Sequence, residues 1–196
     1  MFGNPDDAFA QSLPSSGLIT QAEVRAMALA QLDIRPTSIV WDVGAGSGSL
    51  AIEAAQLANQ GIVYAIEPEP ADFSLIQENA EAFGVPNVKA IAGRAPEVLS
   101  GLPDPDAVFL GGLGRQFDEL LGEIYRRLQL GGALVVNVAT IEGLASAYRT
   151  LKRLAAPVRV WNISIARGIE QMDTLRFDAI APTFLLAVTK QGRAAR

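Results

Sequence analysis

Short apolar runs alternate with amphipathic stretches along most of the chain, and this alternation predicts strands separated by helices. Helical spacing indicates helices near 20–32, 49–61, 71–83, 117–128 and 141–155, with a single helical turn at 97–99. The apolar runs predict strands at 39–43, 62–67, 88–92, 107–110 and 133–138. The last of these is apolar on both faces, as a central parallel strand should be.

The two apolar runs nearest the C-terminus predict a hairpin. Residues 158–165 and 183–189 are joined by a polar connection, 166–182, that lacks the helical spacing of a crossover. The whole pattern indicates an α/β fold of three layers, whose seven-stranded, mostly parallel sheet contains one antiparallel strand. We expect one domain over 17–190, an aperiodic N-terminal arm over 1–16 and a disordered tail over 191–196.

The start of the first helix carries a local signal of its own. Thr20 followed by Glu23 is the pattern of a capping box, and Ile19 with Val24 fits a hydrophobic staple. We therefore expect the Thr20 side chain to cap this helix.

A glycine-rich turn joins the first strand to the second helix, with the pattern Asp42-x-Gly44-x-Gly46-x-Gly48. Glycines at alternate positions allow a tight turn, so that a ligand can lie against backbone N–H groups at the positive end of the helix. The dinucleotide pattern does not fit, because Ser49 stands at its third glycine, and no Gly-Lys-Ser/Thr follows as in a phosphate-binding loop. A nucleoside-bearing cofactor is the prediction.

Glu67 ends the second strand, where a carboxylate can accept two hydrogen bonds from a ribose diol. Glu69 is expected to be a solvated acid. Ligands of open α/β sheets bind outside the carboxyl ends of the strands, so the glycine turn, Glu67, Gly93–Ala95 and Gly111–Gly114 should converge there.

Composition narrows the chemistry of the 196 residues. A hydrophobic content of 49% with 19% charged residues is typical of a soluble globular protein, and no apolar run approaches the ~20 residues of a membrane span. With no leader pattern either, a cytoplasmic protein is expected. The chain has no cysteine and no histidine, which excludes thiol nucleophiles, histidine bases and their metal sites. A net charge of −5 argues against nucleic acid as the partner.

The glycine pattern resembles that of class I S-adenosylmethionine-dependent methyltransferases, and further motifs resemble one branch of them. The most specific are Ile19-Thr20-x-x-Glu23-Val24-Arg25 and the Gly111-Gly112 pair after the fourth strand. Asn4-Pro5-Asp6-Asp7, Gly93-Arg94-Ala95-Pro96 and Gly131-Gly132 agree with them. Over almost its whole length the chain is similar to the decarboxylating precorrin-6Y C5,15-methyltransferase family, specifically to its C15-methylating subunit or C-terminal half.

This resemblance implies a Rossmann-like class I methyltransferase fold, S-adenosyl-L-methionine as cofactor and no metal. The implied cofactor contacts are Thr20, Gly44, Ala45, Gly46, Ser47, Gly48, Glu67, Arg94 and Ala95. Substrate contacts are expected at Gly111, Gly112 and Arg115, and no catalytic residue is assigned.

The implied reaction is methylation of C15 of a precorrin with decarboxylation of the C12 acetate side chain, in cobalamin biosynthesis. The activated methyl donor needs mainly alignment with a nucleophilic ring carbon, so a catalytic histidine is unnecessary. We expect the macrocycle to act as the electron sink for decarboxylation. The resemblance also implies a homotetramer and a separate protein for any C5 methylation. The alternative is a class I methyltransferase of RNA or of another small molecule.

The many carboxylates of such a substrate call for arginines. The candidates are Arg25, Arg94, Arg115, Arg167 and Arg176. Asp42 is expected to accept N–H groups of the glycine turn, as a part of the scaffold. Asn137 and Glu142 could face substrate or cap the following helix.

Overall fold

The computed structural model describes residues 3–11, 19–111, 117–155 and 157–192. These residues contain five α-helices: α1 (Ala22–Leu32), α2 (Ser49–Leu57), α3 (Pro70–Ala82), α4 (Phe117–Arg127) and α5 (Ile141–Leu154). Their strands are β1 (Ile39–Val43), β2 (Ile62–Glu67), β3 (Val88–Ala92), β4 (Ala107–Gly111), β5 (Ala133–Val138), β6 (Arg159–Ile163), β7 (Ala166–Gln171), β8 (Thr174–Ala179) and β9 (Thr183–Thr189). Short 3₁₀ turns lie at Asp6–Ala8 and Leu99–Gly101, the latter two residues beyond the predicted turn.

Seven strands form one sheet in the order β3-β2-β1-β4-β5-β9-β6. The first five of these are parallel, and β9 runs antiparallel to both β5 and β6. The predicted sheet with one antiparallel strand, and the predicted terminal hairpin, are therefore confirmed. The order reverses between β1 and β4, which makes the ends of these two strands the switch point of the sheet.

Helices cover the sheet on both faces, and the alternation of side chains along β1 shows how. Val40 packs in the cluster formed with α1, α2 and α3, whereas Trp41 and Val43 pack in the cluster formed with α4 and α5. Because successive residues of a strand point to opposite faces, Asp42 lies on the side of α1, α2 and α3. Its burial follows from that cover.

The predicted capping box is wrong. Helix α1 begins at Ala22 with Gln21 at the N-cap, and no side chain caps it. The Glu23 carboxylate instead accepts hydrogen bonds from Arg167 of β7, one of them from Nε at 2.8 Å. The Arg167 guanidinium, 144 residues away, competes better for this carboxylate than a backbone N–H does, because a hydrogen bond between two charged groups is stronger.

The polar connection before β9 contains no helix, as expected, but it does contain two strands that the sequence did not predict. It forms a second sheet of two strands, in which β7 and β8 pair antiparallel. Most of its residues are exposed, including Met172, which is 93% exposed, so the period-two burial pattern that identifies a strand is weak here.

The described part of the predicted N-terminal arm packs on its own chain. Phe9 is only 4% exposed, and its ring stacks on Phe83 with 4.7 Å between centroids. Asp6 binds Arg25, and the Asn4 N–H donates to Glu53 at 2.8 Å. Residues 3–11 thus complete the core over α1 and α2. Of the predicted tail, residues 193–196 lie outside the described residues.

None of the described helices combines the length and the apolar character that crossing a lipid bilayer would require.

Candidate cofactor site

The glycine turn after β1 has the backbone that its sequence predicts. Gly44, Gly46 and Gly48 have φ angles of +77°, +55° and +82°, in the left-handed region that favours glycine. A Cβ on Gly44 would lie 2.4 Å from the carbonyl oxygen of Gly111, at the end of β4. A Cβ on Gly46 would meet no atom within 4 Å, so Gly46 presents open backbone to a ligand.

Most N–H groups of this turn already have protein acceptors, which the sequence did not reveal. Those of Gly44 and Ala45 donate to the Ile66 carbonyl at 3.0 and 3.1 Å, and that of Gly48 donates to the Ala45 carbonyl at 2.9 Å. The Gly46 N–H donates to Glu67 Oε2 at 2.8 Å. Because these donors are occupied, the turn is a poor cradle for phosphate, unlike a phosphate-binding loop.

Glu67 stands where the sequence predicts, at the carboxyl end of β2, and its residue is 6% exposed. Besides the Gly46 N–H, it accepts the Glu69 N–H at Oε1, at 3.0 Å. A carboxylate has about four lone-pair sites, so two acceptor positions remain for a ligand.

Asp42 is 1% exposed, and neither carboxylate oxygen has a hydrogen bond of normal geometry. The expected bonds from the glycine turn are therefore not formed. Burial raises the pKa of Asp42 to about 7, and the negative charge of Glu67 adds to the rise. The Ala51 N–H partly offsets this rise in pKa, although it forms no hydrogen bond of normal geometry with the Asp42 carboxylate. A buried carboxyl without a partner favours the protonated form or the approach of a cation.

The predicted loop after β3 lies at the same edge of the sheet as Glu67. The Gly93 N–H donates to the Glu67 carbonyl at 3.1 Å, which places Gly93–Ala95 beside the end of β2. Arg94 is exposed there and Ala95 is half-buried. Thr20 is half-buried, and its carbonyl oxygen accepts Arg25 Nη1 at 2.6 Å. Gly112 and Arg115 lie outside the described residues.

Three of the predicted substrate arginines have protein partners. Arg25 is fully buried between Asp6 and Glu53, so its prediction as a residue at the substrate mouth is wrong. Arg167 binds Asp6 and Glu23, whose hydrogen bonds raise its pKa further above the ordinary value. Arg176 pairs with Asp178 on β8. Local sequence shows a positive charge but not the acids that the fold brings to it.

The residues after β5 show which side chain caps helix α5. Thr140 caps α5 by accepting the Gly143 N–H at 3.0 Å, so neither Asn137 nor Glu142 is the cap. The Asn137 amide oxygen lies 2.7 Å from the Thr183 hydroxyl at the start of β9, and Glu142 is exposed.

Asn79 of α3 contacts the glycine turn, which the sequence does not predict. Its amide donates to the Ser47 carbonyl at 2.8 Å. A lone asparagine on a helix offers no sequence signal for such a contact.

No cluster of three or more histidine, cysteine, aspartate or glutamate side chains suited to a metal ion occurs within residues 3–11, 19–111, 117–155 and 157–192.

Comparison with known proteins gives a consistent result. Residues 11–190 match the family described as precorrin methyltransferase domain. A probable cobalt-precorrin-6B C(15)-methyltransferase (decarboxylating) from Pyrobaculum calidifontis is 35% identical over 188 residues, which cover 94% of each chain. The crystal structure of a precorrin-6Y C5,15-methyltransferase from Geobacter metallireducens superimposes with a TM-score of 0.91 at 34% identity, over 96% of this chain and 98% of that one.

A longer relative matches only in part. The precorrin-6Y C(5,15)-methyltransferase [decarboxylating] of a Sinorhizobium species is 43% identical over 128 residues, which make up 64% of this chain and 30% of that protein.

The raised pKa of Asp42 predicts a dependence of stability on pH. The folded state keeps the Asp42 proton up to about pH 7, whereas the unfolded state releases it near the ordinary aspartate pKa of 3.8. The protonated carboxyl contributes its full stabilisation below pH 4, and this contribution is lost as the pH rises to 7. The loss in free energy of unfolding is about 1.4 kcal/mol per pH unit, which amounts to a few kcal/mol at most. Urea unfolding at pH 4 and pH 8 should therefore show that Asp42→Asn gains stability relative to the unmodified protein as the pH rises.

Asp33→Asn is the matched control, since the Asp33 side chain is 81% exposed. Its difference from the unmodified protein should stay nearly constant across this range. An equally constant difference for Asp42→Asn would contradict the assigned protonation.

Proposed function

Because this chain belongs to the precorrin methyltransferase family, we propose that it methylates C15 of a precorrin and releases carbon dioxide from the C12 acetate side chain. The observation that carries the proposal is the acidic character of the glycine turn. Asp42 and Glu67 flank a turn whose N–H groups are largely occupied. Such a site suits a neutral or cationic nucleoside better than a phosphate.

The residues present fit S-adenosylmethionine. Glu67 keeps two acceptor positions for the ribose hydroxyls, and Gly46 leaves open space for the close approach of a ligand to the backbone. Asp42 supplies a buried carboxyl group without a hydrogen-bond partner, and a cationic cofactor would favour its ionised form. When bound, this cofactor supplies an activated methyl group, so the protein has mainly to align the two reactants.

The substrate would lie at the same edge of the sheet, beyond β4 and β5. Arg94 offers an exposed positive charge for its carboxylates, and Arg115 is proposed for the same role from the sequence. Ile141 is 70% exposed at the start of α5 and offers apolar surface to a macrocycle. No histidine is needed, because the electron pair that forms the new carbon–carbon bond comes from the ring.

Decarboxylation also follows from the ring in this proposal. The carbon–carbon bond to the carboxylate breaks, carbon dioxide leaves, and the conjugated macrocycle accepts the electron pair before a proton from water completes the methyl group. The protein would position the acetate and exclude water from the other steps.

Another protein or domain and a cellular compartment are also implied by this function. The Sinorhizobium relative is more than three times as long as the matched segment. We propose that C5 methylation is carried out by a domain or protein other than this methyltransferase domain. We place the reaction in the cytoplasm, where a biosynthetic enzyme of this family finds its methyl donor.

The β7–β8 hairpin supports assembly into a homotetramer. Directly paired residues share a face, and Arg167 and Asp178 lie on the face that contacts Glu23 and Asp6 of the body. Leu175 and Phe177 lie on the other face, at 61% and 66% exposure. In the described residues β7 and β8 pair only with each other, so their outer edges are open to another strand. A second copy of this chain supplies the same apolar face and edges.

Glu67→Gln should weaken binding of S-adenosylhomocysteine at least about tenfold, because it removes the charge that strengthens two ligand hydrogen bonds. Isothermal titration measures the affinity. Glu69→Gln is the control, since Glu69 is exposed two residues away, and it should bind like the unmodified protein. Equal affinity of the Glu67→Gln variant would remove Glu67 from the site.

Incubation with a precorrin and S-adenosylmethionine tests the reaction itself. We expect a product that has gained one methyl group and lost one carbon dioxide, detected by mass spectrometry. Methyl transfer to RNA, with none to a precorrin, would show that the substrate is RNA and contradict the proposed function.

Sedimentation velocity at micromolar concentration should show a tetramer that Leu175→Glu dissociates, because a charge on the outward hairpin face is costly to bury. Leu130→Glu is the matched control, as Leu130 is 71% exposed and lies away from the hairpin. A monomer for the unmodified protein would contradict the assembly.

A further inference from the structure

Asn79 is a buried side chain that joins two distant segments at the cofactor turn. Its residue is 1% exposed on α3. The two N–H donors of its amide bind the Ser47 carbonyl at 2.8 Å and the Ala10 carbonyl at 3.1 Å. Its amide oxygen accepts the Ala10 N–H at 2.8 Å. One side chain thus holds the glycine turn and the segment 3–11 together.

The bond to Ser47 acts on the turn itself. The Ser47 carbonyl and the Gly48 N–H belong to one planar peptide unit, and the Gly48 N–H closes the turn onto the Ala45 carbonyl at 2.9 Å. Ile76, one helical turn before Asn79, packs beneath Gly48, where an added Cβ would lie 3.2 Å from Ile76 Cγ1. Helix α3 therefore supports the turn by packing at Gly48 and by a hydrogen bond at Ser47.

The segment 3–11 is held in place by contacts near both of its ends. Phe9 lies between Phe83, with ring centroids 4.7 Å apart, and the Arg25 guanidinium, 4.8 Å from the ring centroid. Arg25 also binds Asp6 at 2.7 Å, and Asn4 donates to Glu53 on α2, the helix that starts at the glycine turn. The position of Ala10 beside Asn79 is thus set by the core.

We propose that Asn79 is a positioning residue for the cofactor, which couples the docked segment 3–11 to the conformation of the glycine turn. The inference rests on the proposed function, in that the cofactor binds at this turn. Three glycines within five residues have high conformational freedom, so a turn held in one shape binds a ligand with a smaller loss of entropy. By linkage, a bound cofactor stabilises the docked segment to the same extent.

Asn79→Ala tests the coupling against a matched asparagine. Asn87 donates its amide to the Ala55 and Ala58 carbonyls at 3.0 and 2.8 Å, near the end of α2 far from the turn. Both variants lose two bonds to carbonyl groups and should lower the melting temperature. Only Asn79→Ala should weaken S-adenosylhomocysteine binding, by about tenfold or more, while Asn87→Ala stays within about twofold, as isothermal titration measures.

Hydrogen exchange at the Ala8 amide gives a second readout, because this amide donates to the Pro5 carbonyl at 3.1 Å and keeps that acceptor when Asn79 is replaced. In the unmodified protein, S-adenosylhomocysteine should slow this exchange, and in Asn79→Ala the ligand should have no effect on it. Ala10→Pro offers a second route if Asn79→Ala does not fold, since it removes the N–H that donates to Asn79. The Phe9 backbone, at φ −98° and ψ 135°, already suits a residue before proline.

The outcomes separate the inference from the function on which it rests. Absence of binding to the unmodified protein would overturn the proposed function. Normal binding by Asn79→Ala or Ala10→Pro, or an equal loss in Asn87→Ala, would overturn the coupling and leave the proposed function intact.

Discussion

The close approach of two backbones at the switch point of the sheet is the constraint on which the site depends. Gly44 lies so near the Gly111 carbonyl that any side chain would collide with it, and the left-handed φ of Gly44 suits glycine in any case. This contact brings the ends of β1 and β4 together, and it directs the glycine turn across the carboxyl edge of the sheet. Glu67 and the loop after β3 then reach the same place because parallel strands end at one edge.

Electrostatics gives this edge its chemical character. Two carboxyl groups, Asp42 and Glu67, lie near the turn, and one of them is buried without a hydrogen-bond partner. The occupied N–H groups of the turn leave few backbone donors there for an anion. A turn of this kind suits the proposed cofactor, which carries no phosphate.

Buried charge also organises the N-terminal segment. Arg25 has no exposed surface, and Asp6 and Glu53 compensate its charge. Removing one partner of such a set leaves a charge uncompensated inside the protein, so the set fixes the position of the segment more than it adds stability. Arg167 extends this set to the β7–β8 hairpin through Asp6 and Glu23. The hairpin, the segment and α2 are therefore parts of one connected structure.

Elements whose signal is local along the chain could be predicted from the residues alone. The apolar runs gave the parallel strands within a residue, and the spacing of Gly44, Gly46 and Gly48 with Glu67 indicated the turn and its acidic neighbour. Local patterns suffice there because backbone conformation and strand burial depend on neighbouring residues.

The partners of the polar side chains depend instead on how the elements pack in three dimensions. Glu23 binds Arg167 instead of capping α1, and Arg25 is buried in the core. Asn79 contacts the glycine turn from α3, whose sequence does not predict this contact. The exposed hairpin also escaped prediction, since neither of its faces is buried. A side chain's partner depends on distances in space between residues that lie far apart along the chain, and only the packed fold fixes those distances.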